Sequence, residues 1–174
     1  MGDLRMLAAI LVAGGLASAA AAQPQMDNDA LQSACGAVER EWQAGRAAIV
    51  DVVACANAES ARQLNAQMPM RVDEITTVES VAAHGPEFVY NVRIEVDAAA
   101  VTAAMRDNLS AGTRAYVCNA ADMRQTIGNG GPYRYRWGDR SGRPVNQLLI
   151  DRCWADEGQP SRLAVGGGRD RFCS

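Results

Sequence analysis

The stretch Cys-Asn-Ala-Ala-Asp-Met-Arg-Gln-Thr-Ile-Gly-Asn-Gly-Gly-Pro-Tyr-Arg-Tyr-Arg-Trp-Gly-Asp-Arg-Ser-Gly-Arg-Pro-Val-Asn-Gln-Leu-Leu-Ile-Asp-Arg-Cys, residues 118–153, decides the reading of the fold. It opens on Cys118 and a short helix pattern, Ala120 to Ile127, in which Met123 and Ile127 supply the apolar side. Asn119 followed by Asp122 resembles a capping arrangement for that helix, and Gly128 ends it. Tyr133, Tyr135 and Trp137 then alternate with Arg134 and Arg136. A turn over Asp139 to Gly142 follows, and Val145 to Arg152 returns to Cys153. Period-2 alternation on both sides of a turn is the pattern of a β-hairpin. With a cysteine at each end of the stretch, it reads as a disulfide-closed lobe.

Upstream, the clearest strand of the chain is Glu87 to Asp97. Phe88, Tyr90, Val92, Ile94 and Val96 alternate with Val89, Asn91, Arg93, Glu95 and Asp97, which predicts a half-buried strand with the first set inward. His84-Gly85-Pro86 is a turn signal, and Glu74 to Ala83 before it is rich in Thr and Val, so a second hairpin is expected there. Asp97 can cap a helix from Ala98 to Ala111 with Val101, Met105 and Leu109 on one face; these are expected to pack on the inward face of the strand.

Two helices are expected before the strands. Asn28 or Asp29 can cap the first, which runs through Gln43 and stops before Gly45. The second spans Ala47 to Met68, with Asn57 as a point of interruption, and Met68-Pro69 ends it because the residue before proline is pushed out of the α region. Cys35 and Cys55 lie ten residues either side of Gly45, at similar heights in an antiparallel helix pair. Two bonds and one free cysteine among five can still be drawn fifteen ways.

The first 22 residues read as a secretory signal peptide: an apolar run from Met6, small residues at Ala20 and Ala22, and Gln23 as the mature N-terminus. The run from Met6 to Ala22 is 17 residues, shorter than the roughly 20 that span a bilayer, so no stable membrane anchor is expected after cleavage. No cysteine follows the cleavage site, so no lipid anchor is expected. Residues 23–27 are expected to be a disordered start, 28–153 a single α+β domain, and 154–174 a Gly- and Arg-rich tail carrying the odd cysteine, Cys173. Five cysteines in an exported chain argue for disulfides. None forms a C-x-x-C pair, which speaks against a thioredoxin-like or zinc-knuckle site. The net charge of −3 does not point to nucleic acid. All 17 basic residues are Arg, so no Schiff-base lysine exists.

From about Ala61 to Cys153 the order of features resembles one class of type II secretion pilotins and related exported bacterial proteins. The features are a helix ending at Met68-Pro69, strands around Thr76-Thr77-Val78 and Tyr90 to Val96, an amphipathic helix, Cys118, the Gly131-x-Tyr133-x-Tyr135 strand, the Asp139 to Gly142 turn and Cys153. The resemblance implies a small antiparallel sheet of two hairpins flanked by helices, stapled by a disulfide mapping to Cys118 and Cys153. It also implies a periplasmic accessory protein that binds another envelope protein. Pilotins of this class are typically lipoproteins, and this chain departs from them there.

Candidate chemistry is sparse. His84 is the single histidine, and any Ser-His-Asp or Cys-His site would need it; as a polar residue in a turn it requires no further reason. The pairs Glu39/Glu41, Asp73/Glu74 and Asp156/Glu157 are the residue types of glycoside cleavage, and equally of a solvated surface. Asn129-Gly130-Gly131 precedes a strand, whereas a phosphate cradle opens onto a helix N-terminus. Tyr133, Arg134, Tyr135, Arg136 and Trp137 are residue types of interface hot spots, with the plainer alternative that the aromatics face the core and the arginines face water. No cofactor or metal is expected. The reading is of a non-enzymatic periplasmic or secreted protein binding a protein of the cell envelope, the alternatives being a secreted inhibitor or immunity protein, or a small periplasmic hydrolase.

Overall fold

Strand β2 (Thr76–His84) and strand β3 (Glu87–Ile94) form the hairpin expected around Gly85, which takes φ +59° in the turn. The computed structural model of the chain describes residues 26–153. The signal peptide, most of the expected disordered start and the tail with Cys173 lie outside the described residues. Strands β4 (Tyr133–Gly138) and β5 (Pro144–Ile150) form the second hairpin, and a two-residue strand β1 (Met70–Arg71) pairs with β2.

The five strands make one sheet in the order β1-β2-β3-β4-β5. The pairs β2–β3 and β4–β5 are antiparallel, as expected; β1, which the sequence did not suggest, also pairs antiparallel with β2, whereas β3–β4 is parallel. The expected sheet of two antiparallel hairpins is therefore a single mixed sheet. The reason is the connection: the chain leaves β3 and crosses back through a 3-10 turn (Ala98–Ala100), α3 (Ala103–Asn119) and α4 (Ala121–Gly128) before β4. Such a crossover lets the next strand start at the same end as the last.

Helix α1 (Asn28–Gln43) and helix α2 (Ile49–Asn65) precede the sheet. The cap of α1 is Asp27, one residue earlier than expected, accepting from the Asp29 and Ala30 N–H groups. The Asp27 backbone is tied to Gln63 of α2 in both directions, at 2.7 and 3.1 Å. Asn57 does not interrupt α2; it is buried and donates to the Pro86 carbonyl at 2.7 Å. The helix stops at Asn65, ahead of a cis Met68–Pro69 bond.

Phe88, Tyr90 and Val92 of β3 stand in register with Tyr133, Tyr135 and Trp137 of β4, so these six share a face. The rings form a ladder, with Tyr90 and Tyr135 stacked at 4.8 Å and Tyr135 and Trp137 at 5.6 Å. Leu64 of α2, Val117 of α3, and Met123 and Ile127 of α4 pack in the same cluster. Burial of each such side chain contributes about 1.5–3 kcal/mol. The expected partner helix differs. The helix after β3 starts at Ala103 with Thr102 as its cap, while Asp97 caps only the 3-10 turn. Of the expected apolar stripe Val101 is buried, Leu109 is half-buried and Met105 is 45% exposed. α2, not that helix, lies along β2 and β3.

Two disulfides staple the layers. Cys35–Cys55 joins α1 to α2, and Cys118–Cys153 joins the end of α3 to the chain just after β5.

Candidate functional site

Alternation along β4 separates the five candidate binding residues. Tyr133, Tyr135 and Trp137 are 8%, 9% and 4% exposed and lie under the helices. Arg134 and Arg136 project from the other face of the sheet, so the five do not form one surface. Arg134 makes a two-pronged pair with Glu87 of β3, at 2.7 and 2.9 Å, and this pair holds the Glu87 carboxyl below its usual range. Arg93 pairs with Glu79 and Glu95 at 2.9 and 3.0 Å. Arg136 is exposed, lies between Asn91 and Gln147 in register, and forms no ion pair among the described residues. Near it lies a shallow concavity of about 510 Å³, bounded by Glu79, Asn91, Arg136, Gly142, Pro144 and Gln147.

Under the helices lies a smaller space of about 50 Å³ between Val53, Asn57 and Leu64 of α2, Met123 of α4, and Phe88 and Tyr133 of the sheet. Tyr90, Ser60 and Asp122 also line it. Burial pushes the Tyr133 hydroxyl up to about 12, and pushes Tyr90 and Tyr135 up as well. These phenols stay protonated near neutral pH and so do not offer a base or nucleophile there.

The other candidates are scattered. His84 is exposed at the end of β2 and does not line this space. Glu39 is buried in α1, accepting from Gln32 and Gln43, while Glu41 pairs with Arg46. Asp73 accepts from the Ile75 and Thr76 N–H groups, and Glu74 is exposed. Asp156 and Glu157 lie outside the described residues. Gly131 is a close-packing point rather than a ligand loop: a Cβ there would sit 2.5 Å from Val53 Cγ1 and 2.8 Å from Thr126 Cγ2. Among the described residues, no group of three or more His, Cys, Asp or Glu is placed to hold a metal ion.

Two features escaped the sequence reading. Asp139, with no exposure, organises the β4–β5 turn; its only signal was the turn composition Asp-Arg-Ser-Gly. The second is the outer edge of β5. The Pro132 carbonyl accepts from the Phe88 N–H, so the even-numbered residues of β4 bond towards β3 and the odd-numbered towards β5. In β5, Leu148 and Ile150 therefore bond β4, while Val145, Gln147 and Leu149 direct their N–H and C=O groups away from the sheet. At the start of this edge the Val145 carbonyl accepts from Arg106 Nε at 3.0 Å, and the Gln147 N–H donates to Asn146 Oδ1 at 2.9 Å. Beyond that point, no described residue bonds the Gln147 carbonyl or the Leu149 N–H and C=O. No sequence signal marks this, because edge position depends on strand order.

The fold and its two disulfides define an α+β protein of a kind suited to an oxidising compartment. Among the described residues, no helix is long and apolar enough to cross a membrane. No family model matches the sequence, and no curated protein matches it. Among solved structures, the chain is similar to a protein of Pseudomonas aeruginosa described as secreted, at 17% identity and a TM-score of 0.51, over 60% of this chain and 95% of that one. It is also similar to EpsS, the pilotin of the Vibrio vulnificus type 2 secretion system, at 16% identity and a TM-score of 0.50, over 65% and 92%. The type II secretion pilotin AspS of Vibrio cholerae has 15% identity and a TM-score of 0.47, over 56% and 87%. The resemblance read from the order of sequence features thus reappears as a shared fold.

Proposed function

We propose that this chain is an exported, non-enzymatic accessory protein that binds another protein of the bacterial envelope, in a pilotin-like role. The observation that carries this reading is the division of the sheet. One face is spent on the helix-covered core, while the other presents exposed Arg136, Gln147 and Leu149 beside the free half of the β5 edge. Likeness of fold to EpsS supports the reading. In this view residues 1–22 are a signal peptide, 28–153 form a single domain, and the mature chain works in the periplasm or outside the cell without a membrane anchor. A secreted inhibitor or immunity protein would use the same surface and would differ in the partner captured.

The test is affinity capture with the purified mature chain from a periplasmic extract, followed by mass spectrometry. One envelope protein retrieved in near-equal amount, and lost after substitution on the open face, is the expected result. Retrieval of no protein under native conditions would remove the reading.

A further inference from the structure

We propose that the free half of the β5 edge binds an extended segment of a protein partner as a sixth strand. An acidic side chain of that segment sits opposite Gln147 and reaches Arg136, and an apolar one sits opposite Leu149. This rests on the protein-binding reading above and names the form of the partner at that surface.

Three observations converge on the edge. The first is the ladder. The Gln147 carbonyl and the Leu149 N–H and C=O point out of the sheet with no partner among the described residues, and an added strand satisfies such groups. The start of the same edge is closed by Arg106 on Val145 and Asn146 on Gln147, so the open ladder has a defined beginning. The second is charge. The face carries Glu79, Glu87 and Glu95, and all three are already taken by Arg93 and Arg134. Arg136, next to Gln147 in register, forms no salt bridge among the described residues, its charge reaching Glu87 only at longer range, and fits a carboxylate brought by the incoming strand. The third is apolar surface. Leu149 is 38% exposed on the same face as Gln147, two residues along, where cross-strand pairing places the next same-face side chain of a partner. An incoming segment therefore alternates: acidic opposite Gln147, apolar opposite Leu149, and small or β-branched between them.

The experiment uses the full mature protein and the probe peptide acetyl-Thr-Val-Thr-Glu-Thr-amide, with a second peptide carrying Lys in place of Glu. Binding is followed by calorimetry and by hydrogen exchange at the Leu149 amide. The expected results are tighter binding of the Glu peptide by about tenfold, reversal of that preference in Arg136→Glu, and slower exchange at Leu149 when peptide is present. Leu149→Pro removes the outward donor while the β4 ladder keeps its bonds through Leu148 and Ile150, so it should abolish binding. Should that variant not fold, a peptide N-methylated at its pairing amides, added to the unaltered protein, makes the same cut from the other side. Equal affinity for the methylated and unmethylated peptides overturns the proposal, as does a charge preference indifferent to Arg136. Slow exchange of the Leu149 amide before any peptide is added also overturns it, because the edge would already be covered. If the peptides fail while the mature chain still captures an envelope protein, the edge site falls and the accessory role stands.

Discussion

Asp139 accepts hydrogen bonds from Ser141 Oγ at 2.7 Å, from the N–H groups of Ser141, Arg143 and Ala98 at 2.8, 2.9 and 3.1 Å, and from Arg143 Nε at 2.9 Å. It thereby ties the β4–β5 turn to the start of the crossover. The Ser141 hydroxyl, followed by the backbone donors, holds its carboxyl well below the usual range, against the opposing effect of burial. A folded pKa below the unfolded one contributes stability that is complete above the unfolded value, near 3.9, and is lost as pH falls through the folded value. Urea denaturation should therefore show stability falling as pH drops below about 4, and Asp139→Asn should be less stable at neutral pH with a flatter acid limb. An unchanged acid limb in Asp139→Asn would assign acid sensitivity elsewhere. Asn65 does comparable work at the opposite edge of the sheet. Its side-chain amide donates to the Val81 carbonyl at 2.6 Å and accepts from the Val81 N–H at 2.9 Å, standing in for strand backbone beyond the short β1. Asn65→Ala should cost about 1–3 kcal/mol in the same measurement, because two ladder groups lose their partner.

At the scale of the element, β3 tests the assignment of faces. Val92 is 6% exposed and packs in the main core cluster, while Arg93 is held by Glu79 and Glu95 over the open face. Val92→Asp should unfold the protein or cost more than about 3 kcal/mol, since a carboxylate is buried without a partner. Arg93→Asp should cost about 1 kcal/mol or less, the range of exposed ion pairs. Thermal melts of the two variants decide this, and equal losses would mean that the two faces are not distinguished. Alternation was legible in β3, yet Val89, on the side expected to be exposed, has no exposure at all. In β4 the pattern Tyr-Arg-Tyr-Arg-Trp read correctly as two faces, because period-2 alternation is a property of the strand itself.

For the whole molecule, the Cys118–Cys153 bond closes a separation of 35 residues that contains α4 and the β4–β5 hairpin, and Cys35–Cys55 closes one of 20. In the chain-entropy model each is worth about 3–4 kcal/mol. The double replacement Cys118→Ser with Cys153→Ser should lower the melting temperature by more than that of Cys35→Ser with Cys55→Ser. The first pair ties the end of the sheet to α3, whereas the second joins two helices that Gly45 already turns against each other. The reverse order would place the weak point of the fold in the helix pair. Helices, strands and turns followed from local patterns, namely apolar residues at helical or strand spacing and Gly at turns of positive φ. The two hairpins and the order of features shared with pilotins were legible for the same reason. The caps were not: they fall at Asp27 and Thr102, and the Asn119–Asp122 cap expected for α4 is replaced by Ala120 without a side-chain hydrogen bond. The parallel joining of β3 to β4 was not, because it depends on how a long crossover returns, and no residue records that. Nor was the choice of α2 as the helix over β2 and β3. The aromatic and arginine faces were visible as alternatives, and only packing decided that Tyr133, Tyr135 and Trp137 go under the helices. The open edge at Gln147 and Leu149 follows from β5 being last in the sheet. Strand order is a long-range property, whereas a chain's local chemistry specifies each strand without naming its neighbours.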